Sequence, residues 1–129
     1  MSARLLVLSF VLASCGDKAA VAPASDVATL VAPITDKLTG QRVAGFVARD
    51  AAALGATACA VGEVDGLELT ICDYGDPAVG AKAMRSVVAG AQSGALRVYG
   101  TRVVALADRA KVDPRGQAMN RVLAALDGR

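Results

Sequence analysis

Two stretches of alternating apolar residues, 57–64 and 67–74, flank the dipeptide Asp65-Gly66. Asp-Gly between such runs is a strong hairpin signal, because both residues tolerate the positive φ of a type I′ turn. A two-residue loop fixes the register: Val64 faces Leu67, Glu63 faces Glu68, and Cys59 faces Cys72. One face of the predicted hairpin then gathers Ala60, Val64, Leu67, Leu69 and Ile71. The other carries Cys59, Val61, Glu63, Glu68, Thr70 and Cys72. A second strand pair, 95–99 and 102–107, turns at Gly100-Thr101, where a leading glycine suits a type II′ turn.

Elsewhere the apolar positions fall at intervals of three and four. In 41–54, Val43, Phe46, Val47, Asp50 or Ala51, and Leu54 predict a helix stopped by Gly55. Asp76-Pro77 opens another, since aspartate caps well and proline suits the first helical position. Its stripe is Val79 or Gly80, then Met84, Val87, Val88 and Ala91, and Ser93-Gly94 ends it. Asp113-Pro114 opens a last helix with Met119, Val122, Leu123 and Leu126 on one side. In 26–38 the spacing of Val27, Leu30, Val31 and Ile34 is helical but Pro33 interrupts, so a short helix and an irregular covering segment both fit. The order α-ββα-ββα implies an α+β domain over 26–129: a four-stranded, mainly antiparallel sheet with helices covering one face. Strand–strand–helix occurs twice, each helix starting at Asp-Pro. That echo suggests an internal repeat, although Asp-Pro helix starts are common.

The N-terminus follows a different pattern. One charge, Arg4, precedes the apolar run 5–12, and the small residues Ala13 and Ser14 lead to Cys15. This is the order of a secretory signal, and the run is far short of the ~20 residues a spanning helix needs. Leu12-Ala13-Ser14-Cys15 resembles the lipobox of bacterial prolipoproteins. The resemblance implies a signal peptide over 1–14, diacylglyceryl transfer to the Cys15 thiol, cleavage before it, and often acylation of the new amino group. Membrane lipid would then be a partner through the acylated Cys15. Each buried methylene contributes ~0.8 kcal/mol, so two or more chains hold stably. With Gly16 rather than aspartate next, the resemblance leans toward the outer membrane. Residues 15–25, small and without periodicity, read as lipidated cysteine plus flexible tether.

Composition narrows the chemistry. Hydrophobic residues make up 54% of the chain but aromatics only 3%, and there is no Trp. Scarce stacking surface argues against sugar and nucleic-acid partners. The formal net charge is +2, unevenly spread. Residues 95–129 hold seven basic and three acidic side chains, against six and nine in 16–94. Arg97, Arg102, Arg109, Lys111 and Arg115 are therefore a candidate contact surface for an envelope protein or anionic polymer, as well as what a solvated basic surface would look like. With no histidine, the commonest general base and metal ligand is missing. No Gly-x-Ser-x-Gly, Gly-x-Gly-x-x-Gly or Walker-type loop occurs. No cofactor, metal site or catalytic residue is expected.

With Cys15 assigned to lipid, two cysteines remain, and an envelope compartment permits a disulfide. In the hairpin, 64/67 is a hydrogen-bonded pair and pairs alternate outward. That makes 59/72 a non-hydrogen-bonded pair with α-carbons ~4.5 Å apart, within reach of a bridge. A three-residue bulged turn would shift the register and separate the sulfurs. Twelve residues between the cysteines, both in strands, do not suit a redox site or a zinc site. Glu63 and Glu68 oppose each other, a like-charge pair that favours recruiting an arginine. The expected function is a membrane-anchored, non-enzymatic binding or structural module. The alternatives are a periplasmic small-ligand carrier, and a hydrolase or transferase using carboxylates such as Asp73 and Asp76.

Overall fold

A computed structural model describes residues 24–129. The signal segment, Cys15 and most of the expected tether lie outside the described residues. The chain runs through α1 (Ala24–Thr35), β1 (Val43–Arg49), a 3₁₀ turn (Ala52–Leu54), β2 (Ala58–Val64) and β3 (Leu67–Asp73). It continues through α2 (Pro77–Ala83), α3 (Arg85–Val88), β4 (Gly94–Tyr99), β5 (Arg102–Ala107) and α4 (Gln117–Leu126). The α+β class is as expected, but the sheet has five antiparallel strands rather than four, in the order β1-β2-β3-β5-β4.

The extra strand is β1, in the segment whose spacing predicted a helix. The reason is a bulge. Ala44 pairs with Glu63 and Val47 with Val61, so Gly45 and Phe46 together oppose Gly62. Gly45 takes φ +73°, as the first residue of a glycine bulge does. The added residue turns the strand's period of two into an interval of three. Val43 and Phe46 thus pack on the same core, while Val47 belongs to the opposite face and is exposed. The i, i+3 spacing that imitates a helix is a bulged strand. Gly62 answers to Phe46: a Cβ there would lie 2.8 Å from the ring's Cδ1.

Both sheet faces are covered, not one. On the first, α1 and α4 bury Leu30, Ile34, Met119 and Val122 against Ala60, Leu69, Ile71 and Val104. Pro33 falls near the end of α1 and does not prevent the helix, because Val27, Leu30, Val31 and Ile34 are all buried. The helix also starts two residues inside the expected tether. On the second face, Met84 and Val87 from the α2–α3 region pack on Cys59, Cys72, Val103 and Ala105. The single helix expected after Asp76-Pro77 is broken at Met84. Asp76 caps it as expected, accepting from the Ala78 N–H at 3.0 Å.

The two strand–strand–helix units therefore do not repeat in three dimensions. A two-fold axis normal to the sheet between β3 and β5 would relate the hairpins and leave each face unchanged. Yet the α2–α3 residues and α4 pack on opposite faces. The final helix also begins at Gln117, three residues after the expected start at Pro114. Residues 113–116 form a turn closed by the Gly116 N–H on the Asp113 carbonyl at 2.9 Å. Asp113 still serves the helix end, its carboxylate accepting from the N–H groups of Ala118 and Met119 at 2.9 Å each.

Candidate functional site

The β2–β3 register is the one expected, from Val64↔Leu67 out to Cys59↔Cys72. The two Sγ atoms lie at disulfide distance, 2.02 Å, with the α-carbons 4.1 Å apart. Both cysteines are buried, so the pair belongs to the second-face core. On the same face Val61, Glu63 and Glu68 sit beyond the cover given by α2 and α3. There an open groove of about 290 Å³ lies beside the hairpin turn. Val47, Val61, Glu63, Glu68, Arg109 and Ala110 are among its walls.

The opposed glutamates recruit an arginine. The Arg109 Nε donates to Glu68 Oε1 at 2.9 Å. Register explains the meeting across 41 residues: β5 ends with Ala107 opposite Glu68, and Arg109 follows two residues later. The same guanidinium donates to the Val87 carbonyl, tying the groove to the end of α3. Glu63 remains exposed and has no ion pair among the described residues.

The groove's frame is held at several points. Arg42 N–H donates to Asp65 Oδ1, and Asp65 N–H donates to the Arg42 carbonyl, both at 2.9 Å. The connector after β5 leans on the turn, with Val112 Cγ2 3.2 Å from where a Gly66 Cβ would stand. That connector is fixed by Asp108, fully buried, whose carboxylate accepts from the N–H groups of Val112 and Asp113 at 3.0 Å each. The backbone donors of Ala118 and Met119 in turn hold the Asp113 carboxyl below its ordinary pKa.

The five basic residues singled out in the sequence do not gather in one place. Arg97 crosses from Val104 on the first face and pairs with Asp127 at 3.3 Å. Arg102 donates to the Leu30 carbonyl of α1 at 2.8 Å. Arg109 lies on the second face, while Lys111 and Arg115 are exposed in the connector. Around Arg97, Asp127 also accepts from the Tyr99 hydroxyl at 2.8 Å, and Arg129 pairs with it at 3.1 Å. The Tyr99 hydrogen bond, with help from the arginines, lowers the Asp127 pKa. Burial first, then that bond, raises the pKa of Tyr99. Lys37 lies 5.1 Å from the Tyr99 ring centroid, a cation–π distance.

Of the carboxylates considered for catalysis, Asp76 is used as a helix cap. Asp73 faces Arg102 across β5. Among the described residues no three of the metal-ligating types converge, and no helix is long and apolar enough to cross a membrane. The sequence pattern missed the groove because it read Val47 as helical and could not bring Arg109 to Glu68. The signal it did contain was the like-charge pair. No family model, curated protein or solved structure matches the chain.

Proposed function

We propose that the chain is a bacterial envelope lipoprotein, anchored through acyl chains on Cys15, whose α+β domain is a non-enzymatic binding module. The cysteine arithmetic carries this reading. Cys59 and Cys72 are at disulfide distance inside the fold, leaving Cys15 as the one cysteine outside the pair, just where the apolar leader stops. A buried disulfide suits an oxidising compartment, and a thiol at the end of a signal segment suits acylation. The small domain uses the Asp76 carboxylate as a helix cap and those of Glu68 and Asp127 in ion pairs, and it has an open groove on one face, which supports binding over catalysis. The leaning toward the outer membrane rests on Gly16 alone.

Mass spectrometry of the native product tests it. The expected species starts at Cys15 and carries a diacylglyceryl group. A chain retaining Met1, or a free sulfur at position 15, overturns the anchor. Cys15→Ala is expected to move the protein out of the acylated membrane fraction.

A further inference from the structure

We infer that the groove beside the β2–β3 turn binds a small organic cation, an ammonium or guanidinium on a short apolar body, with Glu63 as its counter-ion. This deepens the reading of the domain as a binding module and rests on it. The lining holds two carboxylates and one guanidinium. Arg109 is committed to Glu68 and to the Val87 carbonyl, so one of two opposed negative charges is neutralised and the other is not. A monocation beside Glu63 completes the charge balance of the lining. An anion would meet a net negative wall.

An inorganic cation fits poorly. A hard ion such as calcium takes six to eight oxygens, and no cluster of three ligating side chains exists among the described residues. The apolar part of the ligand has its own surface. Val47 is 58% exposed, and it pairs across the strands with Val61, so the two form a continuous wall next to Glu63. Gly45, Gly62 and Gly66 add no side chains to the groove. At about 290 Å³ the space is at the lower end of ligand pockets, which suits a small molecule. The Arg42–Asp65 bonds and the Arg109 clamp form the groove before any ligand arrives.

The experiment compares three probes of one shape on the full chain in detergent micelles, at matched ionic strength: isobutylammonium chloride, sodium isobutyrate and isobutanol. Amide chemical shifts are followed for Val47, Val61, Glu63, Gly66 and Ala110. Saturable shifts are expected with the ammonium alone. Glu63→Gln, at an exposed position and with its spectrum still dispersed, is expected to weaken binding by roughly tenfold or more, as loss of a charged partner does. Equal responses to isobutanol, no saturable response to the ammonium, or unchanged binding by Glu63→Gln each overturn the inference. The mass spectrum of the same sample reports the state of Cys15. An empty groove on an acylated chain thus sinks the ligand assignment and leaves the anchor standing.

Discussion

Two units of this domain begin alike and end apart. β2, β3 and the helical segment after them share a plan with β4, β5 and α4: a tight hairpin, then a helix announced by Asp-Pro. The first helical segment packs on the disulfide face and the second on the opposite face. The connections differ in the same way. Only Tyr74–Asp76 separates β3 from α2, whereas residues 108–116 lie between β5 and α4. The short link delivers its helical segment to the disulfide face. The longer link, pinned by the carboxylates of Asp108 and Asp113, carries the chain round to the other. Helix placement thus goes together with connector length and with the buried hydrogen bonds that hold the longer connector.

The sharpest way to break that comparison is to empty each helix's anchor. Leu126, 1% exposed, and Met84, 0% exposed, hold α4 and the α2–α3 junction. Leu126→Ala is expected to cost about 2–5 kcal/mol in urea unfolding. Met84→Ala is expected in the same range.

Removing the bridge from the first unit comes next. Cys59→Ala with Cys72→Ala is expected to destabilise by up to about 3 kcal/mol, the loop-entropy figure for a separation of this size. The type I′ turn should reduce the loss, since it already favours the hairpin. Thiol titration of unfolded, non-reduced protein should find neither cysteine free. Two free thiols there would remove the bridge from the account.

A smaller effect tests how the short connector seats α2. Gly80 packs on the ring of Tyr74, where a Cβ would lie 2.6 Å from Cγ. The ring is fixed by its hydroxyl, which donates to the Leu54 carbonyl at 2.6 Å. Gly80→Ala should therefore cost about 1–3 kcal/mol through overpacking, although alanine is the better helix former. Unchanged stability would mean that the ring shifts freely.

The mildest test is acid, and it should act on the second unit. Asp113 has a folded pKa below its unfolded value. Its contribution is complete above the ordinary carboxylate range and is lost as pH falls through that range toward the lowered pKa. The urea midpoint should decline from neutral pH toward pH ~3. Asp113→Asn should flatten part of that decline, leaving the share owed to Asp127, whose pKa is also lowered. An identical profile in the variant would show that the connector does not sense the proton.

Much of the second-face site was legible residue by residue. The Asp65-Gly66 turn placed Glu63 opposite Glu68 and Cys59 opposite Cys72, and like charges in that position called for a cation. Which cation answered was hidden, because Arg109 arrives from a strand that pairs with β3 only in the folded sheet. Val47, the apolar wall, was hidden differently. A one-residue bulge made the spacing of β1 imitate a helix, and only its pairing with β2 distinguishes the two.

Sequence alone settled what closes locally. A two-residue turn leaves a hairpin one register, and that register is enough to bring two cysteines together across twelve intervening residues. What needed tertiary structure was every choice made between distant partners: the fifth strand, the face each helix covers, and the arginine that leaves Glu63 unmatched. Strand pairing and burial are cooperative. An edge is filled or a face covered by whichever segment buries the most there, and no window of sequence contains both sides of that contest.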